Sequence, residues 1–169
     1  GEENSILRSE FYKRKKIKTK KNNIFICFGG GEDKGAMLWL LSSFYPLLKN
    51  YILNLLIPEN KYKKKILVLL KQKYLNKNVI LVKKKTNHLI DAIDRSEFCI
   101  NSGGTLSHEI YARGKKMLII TVAEDQIKQA NAWKSKGNVF LGDIIFKKKI
   151  KLKFKKELNK MKNFKDKKL

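Results

Sequence analysis

The residues best equipped for binding chemistry lie in Cys99-Ile100-Asn101-Ser102-Gly103-Gly104-Thr105, followed by Glu109. The apolar residues read as a buried strand, Gly103-Gly104 as a turn, and Thr105 as the start of a helix. Glycines at such a junction let main chain approach a ligand closely. The helix start behind them offers unpaired N–H groups and a partial positive charge, which suits a phosphate. Thr105 and Glu109, four residues apart, share one helix face. A carboxylate at Glu109 can accept from two neighbouring hydroxyls, as on a ribose. Main-chain donors for an anion beside an acid for a diol point to a nucleotide. The competing reading of Glu109 is a solvated helix residue or an ion pair with Arg113, again four residues on.

A second glycine loop, Gly29-Gly30-Gly31-Glu32-Asp33-Lys34-Gly35, follows the apolar run Ile24 to Phe28. It is not a Walker loop, because Ala36 and Met37 stand where Lys and Ser or Thr are needed, and the third glycine of a dinucleotide fingerprint is missing. Either it is a tight strand-to-helix turn or it faces a ligand with its backbone. Inward-pointing Glu32 and Asp33 would repel a diphosphate, so main chain has to do any phosphate work there. A third junction, Ala123-Glu124-Asp125-Gln126, opens a helix. Its amides suit a sugar or phosphate, and ordinary capping is the alternative. His88 and His108 have no carboxylate or serine partner at a recognisable spacing, which leaves a hydrolytic triad unsupported. Cys27 and Cys99 sit in apolar runs and read as buried thiols, and no metal-ligand spacing is present.

The elements that must position these residues alternate. Strands are expected at Ile24–Phe28, Tyr51–Ile57, Asn78–Val82, Glu97–Asn101, Met117–Val122 and Val139–Leu141. Helices are expected at Ala36–Lys49, shortened or kinked by Pro46, and at Lys61–Tyr74, where Leu67-Val68-Leu69-Leu70 also fits a strand. Further helices are expected from an Asn87 cap to Arg95, over Thr105–Arg113 and over Gln126–Lys136. This rhythm predicts an α/β fold: a Rossmann-like doubly wound parallel sheet of about six strands. In such sheets ligands bind beyond the carboxyl ends of the strands where the strand order reverses, and both glycine loops fall at carboxyl ends.

With 169 residues and 43% apolar composition, the chain suits one domain with tails. Residues 1–23 read as a basic linker or arm outside the core, 24–146 as the domain, and 147–169 as a lysine-rich amphipathic tail. In that tail Phe154, Leu158, Met161 and Phe164 share a face that docks on the domain, a reading favoured over an anionic membrane. No apolar run approaches the ~20 residues of a membrane span, and the start lacks a signal-peptide pattern. Cytoplasm is the expected location. The net charge of +24 is carried mainly by lysine and favours phosphate ligands in general. A basic nucleic-acid-binding module is the alternative of another class. It is disfavoured because aromatics are not interleaved with the lysine runs.

Taken together, these segments resemble the C-terminal domain of the pseudaminic-acid-pathway UDP-sugar hydrolases. Leu7-Arg8 and Glu10-Phe11 resemble the linker that opens it, and Ile26-Cys27-Phe28-Gly29-Gly30 its first strand and loop. Asn101-Ser102-Gly103-Gly104-Thr105 through Glu109, Ala123-Glu124-Asp125-Gln126 and Gly137 to Gly142 match the later motifs in order and spacing. The resemblance implies the C-terminal half of a glycosyltransferase-B architecture, shared with UDP-N-acetylglucosamine transferases of peptidoglycan synthesis. It implies UDP or a UDP-sugar as ligand and no cofactor. Gly103, Gly104 and Thr105 would hold the diphosphate, with Gly29, Gly30 and Ser102 also among the nucleotide-binding residues, Glu109 would hold the ribose, and the backbone at Lys85 and Thr86 would meet the uracil. Asp125 and Gln126 would lie near the phosphates or sugar. Hydrolysis would break the bond between the anomeric carbon and the diphosphate oxygen. The catalytic histidine would belong to an N-terminal α/β domain, on the same or a separate chain. A glycosyltransferase would use the same donor half. The chain departs from the family pattern in three places: Gly31-Glu32-Asp33 replaces a Ser-Asp-Pro type sequence, His88 an apolar residue, and Asp125 an asparagine, where an added carboxylate near a diphosphate would weaken binding and shift the ligand preference.

Overall fold

A computed structural model describes residues 8–29, 31–74 and 78–162. Six parallel strands form one sheet: β1 (Asn23–Cys27), β2 (Ile52–Leu55), β3 (Val79–Leu81), β4 (Phe98–Asn101), β5 (Lys116–Thr121) and β6 (Val139–Asp143). Their spatial order is β3-β2-β1-β4-β5-β6. The chain steps outward from β1 to β3, then returns to β4 beside β1 and steps the other way. Crossovers between parallel strands are right-handed. Reversing the direction of travel therefore moves the helices to the opposite side, and a Rossmann-like doubly wound fold results.

The two helical layers follow from this. One face of the sheet carries α2 (Ala36–Ser43), α3 (Tyr45–Leu48), α4 (Lys63–Lys73) and the terminal α8 (Lys147–Lys162). The other carries α1 (Glu10–Lys13), α5 (Thr86–Arg95), α6 (Leu106–Ala112) and α7 (Asp125–Ser135). Strand residues alternate between the two: Ile24, Ile26 and Phe28 enter the first core, Phe25 and Cys27 the second. Burial on both sides explains why the central strands read as unbroken apolar runs rather than alternating ones.

Some sequence expectations are sharpened and others corrected. The helix expected over Ala36–Lys49 is two helices meeting at Phe44, with Pro46 in the first turn of α3, where its missing N–H removes no bond. The ambiguous Leu67-Val68-Leu69-Leu70 is helical, within α4. Asn87 is not a cap: α5 starts at Thr86, and Lys85 before it makes no side-chain cap bond. The arm is not outside the core. Phe11 is 0% exposed and packs in the second core.

That arm is strapped down by one buried ion pair. Arg113 donates to both Asp94 carboxylate oxygens at 2.8 and 2.6 Å, with both side chains 1% exposed. Arg113 Nη1 also donates to the carbonyls of Phe11 and Arg14, and Asp94 accepts from the Ile17 N–H. On the surface, Arg14 adds an ion pair to Asp91. At the other terminus, α8 buries Ile150, Phe154, Leu158 and Met161, and Phe154 stacks on Phe44 at 3.9 Å between ring centres. Phe164, expected on the same face, lies outside the described residues.

Candidate functional site

The strand order reverses between β1 and β4, which pair directly, with Cys27 beside Asn101. The two glycine loops leave the sheet from these neighbouring ends. Gly29 adopts φ +102° with open space where a side chain would point, and Gly103 adopts φ +84°. At Gly103 a Cβ would sit 2.9 Å from Ile119 Cγ2 on β5. The loop therefore folds back over the neighbouring strand, and only glycine fits. Beneath it Asn101, buried, donates to Ser107 Oγ at 2.7 Å and pins the first turn of α6 to β4. Gly30 lies outside the described residues.

The expected residues from the other loops come to the same edge of the sheet. Gln126, in the first turn of α7, accepts from the Val122 N–H at 3.0 Å. Its Nε2 lies 3.5 Å from the position a Gly104 Cβ would take, so the α7 start and the glycine loop are adjacent. Thr105 and Asp125 are exposed, and Ser102 is buried beside Gly104. Lys85 and Thr86 lie where β3 hands over to α5. Between the ends of β2 and β3 is a cleft of about 360 Å³, lined by Leu56, Ile57, Glu59, Lys83 and Lys84 among others. It stops one residue short of Lys85.

Glu109 is neither solvated nor paired with Arg113. It is 6% exposed, and Arg8 grips it from the arm with both prongs, Nε to Oε1 at 2.8 Å and Nη2 to Oε2 at 2.9 Å. Arg8 Nη1 donates to Thr86 Oγ1 at 2.9 Å. One guanidinium thus joins the α6 acid to the first residue of α5. The hydrogen bonds to Glu109 hold the Arg8 guanidinium above its already high ordinary pKa, against the lowering effect of partial burial. A carboxylate offers about four acceptor positions and this fork takes two. Sequence reasoning missed Arg8 as a site residue, because 101 positions separate it from Glu109 and no local spacing connects them.

Two acids of the first loop are satisfied by their own chain, whereas Asp125 in the first turn of α7 is exposed. Asp33 is fully buried and accepts from the N–H groups of Gly35 and Met37 at 2.9 and 3.0 Å, and from Asn60 Nδ2. It caps α2 instead of facing an incoming anion. Glu32 accepts from the Lys34 N–H. His108 turns away from the loop: its Nε2 is 2.6 Å from Gln129 Nε2, and its ring packs edge-on against Trp133 of α7. His88 is exposed on α5.

Chemically, this edge supplies main-chain donors, the Gln126 amide, the hydroxyls of Thr86, Ser102 and Thr105, and the carboxylates of Glu109 and Asp125. Among the described residues, no group of three His, Cys, Asp or Glu is placed to hold a metal ion. Both cysteines are buried, and burial pushes the Cys27 thiol up to about 12, so neither is a ready nucleophile. No protein-family model matches the chain, and no curated protein matches it.

Proposed function

We propose that this chain is the UDP-binding half of a UDP-sugar hydrolase that acts, in the cytoplasm, on a nucleotide-activated amino sugar of surface-glycan biosynthesis. The observation that carries it is the placement of both glycine loops, after β1 and β4, side by side at the reversal of strand order. There Gly104 meets Gln126 from α7, and Glu109 stands one turn further along α6, held by Arg8.

The diphosphate lies against the main chain of Gly29 and of Gly103-Gly104-Thr105, with Gln126 alongside. α6 has seven residues, so its dipole is short and the individual N–H groups matter more than the macrodipole. The ribose diol takes over the Glu109 oxygens that Arg8 holds in the free chain. Uracil lies toward Lys85 and Thr86, near the cleft between β2 and β3. This half orients the nucleotide and stabilises UDP as a leaving group. An N-terminal α/β domain supplies the sugar pocket and activates the water.

Calorimetric titration tests this. The chain alone is expected to bind UDP weakly, with Kd about 0.1–1 mM, to prefer it over ADP, and to lose binding in Glu109→Ala. It is expected to release no UDP from a UDP-sugar. Equal affinity for UDP and ADP, with no effect of Glu109→Ala, would overturn it.

A further inference from the structure

The two helical layers differ sharply in charge. Helices α2 and α3 carry no charged residue. The rest of that layer holds five lysines in α4 and nine in α8, with Glu157 as its one acid. Helices α1, α5, α6 and α7 on the opposite side hold five acids and four bases. Residues 14–21 of the arm pack on that opposite side and add six bases, five of them exposed lysines; what sets the α4–α8 side apart is fourteen helix lysines against a single acid.

Large aliphatic side chains stand in the middle of this lysine field. Leu152 is 85% exposed at the crest of α8, directly opposite the buried Ile150, Phe154 and Leu158. Lys148, Lys149, Lys155 and Lys156 surround it three and four residues to either side, and all are exposed. Val68 is 54% exposed on α4, with Lys64, Lys65 and Lys71 at the same offsets. Ile145, 68% exposed, and Phe146 precede α8, and Lys149 Nζ lies 5.1 Å from the Phe146 ring centre. Both helices lie on the same face of the sheet.

We propose that the outward surface of α4 and α8 docks on an anionic lipid bilayer. Lysines reach the phosphate headgroups while Leu152, Val68 and Ile145 enter the boundary of the acyl region, the combination that interfacial helices use. Charge complementarity requires a polyanion, and the aliphatic crests select lipid over nucleic acid. A single strand would be met by stacking aromatics, and a duplex gains nothing from an exposed leucine. The inference does not depend on the nucleotide site, which lies on the strand-end edge of the sheet.

Co-sedimentation with vesicles tests it at about 0.15 M salt, using phosphatidylcholine alone and phosphatidylcholine with about 30% phosphatidylglycerol. The full chain is compared with the double variant Val68→Ser/Leu152→Ser, which leaves the charge unchanged. Tyr111→Ser on the opposite layer serves as control. Unchanged thermal melting confirms that each variant folds. The expected result is binding to the anionic vesicles only, weakened about tenfold or more by the double variant and unaffected by Tyr111→Ser, with duplex DNA binding equal in all three proteins. Vesicle binding that ignores the double variant, absence of any preference for anionic lipid, or an equal loss in Tyr111→Ser would overturn the proposal.

Discussion

Replacing Arg113 by leucine removes the group that ties the N-terminal arm to the domain. Its partner Asp94 is 1% exposed, and both carboxylate oxygens accept from the guanidinium. Without Arg113, Asp94 keeps the Ile17 N–H but loses the guanidinium that holds both its oxygens. Breaking a buried pair from one side costs about 3–5 kcal/mol. The carbonyls of Phe11 and Arg14 also lose their donor, and they recover hydration only if the arm lifts and exposes Phe11. With a total stability of about 5–15 kcal/mol, this is a large fraction. In urea denaturation, a loss of about 4 kcal/mol with a slope of about 2 kcal/mol per M lowers the midpoint by roughly 2 M. The double substitution Asp94→Leu/Arg113→Leu is expected to recover much of the loss, because an apolar pair leaves no charge stranded. A cost below about 1 kcal/mol for Arg113→Leu, or a double variant worse than the single, would refute the reasoning that this pair holds the arm.

Gly103→Ala forces a side chain into φ +84° and to within 2.9 Å of Ile119 Cγ2. It is expected to cost about 1–3 kcal/mol by thermal denaturation and to abolish UDP binding, whereas Gly29→Ala strains only its own backbone in the free chain and weakens UDP binding through a Cβ in the diphosphate's space. Arg8→Ala frees the Glu109 carboxylate. Since Arg8 is 43% exposed and screened, its hold is worth about 1 kcal/mol or less, so UDP affinity is expected to rise up to about fivefold in calorimetry. The Cys27 thiol, raised to about 12 by burial, stays protonated in the folded chain while the unfolded chain loses its proton above its ordinary value. Stability therefore falls as pH rises from about 9 toward 12, by about 1.4 kcal/mol per pH unit from this thiol, and Cys27→Ala is expected to flatten the curve by that amount. In the native state neither cysteine is expected to react with Ellman's reagent.

Much of the architecture was legible because apolar runs such as Phe98 to Asn101 and Met117 to Thr121 are too continuous for a half-exposed strand. Alternation with amphipathic helices then implied a parallel sheet, and the carboxyl-end rule located the glycine loops. Boundaries failed where local signals competed. Asn87 is a good cap by type, but α5 begins before it at Thr86. The arm was misread because its one deep anchor, Phe11, sits among basic residues, and its fastening comes from Asp94 and Arg113, far along the chain. For the same reason Glu109 was legible as an acid on the correct helix face, while its guanidinium partner was not. The amphipathic character of the tail was readable from Phe154, Leu158 and Met161. The prominence of Leu152 became meaningful only once its 85% exposure could be set among the lysines of α8.

The most direct measurement of the central claim is the amide NMR spectrum of the isotopically labelled chain as UDP is added. Binding at the strand-end edge predicts that the largest shifts cluster at Gly29, Gly103, Gly104, Thr105 and Gln126, with a smaller set at Thr86 and Arg8 as the guanidinium leaves Glu109. Shifts confined to the lysine-rich face of α4 and α8, or a spectrum unchanged at millimolar UDP, would contradict it.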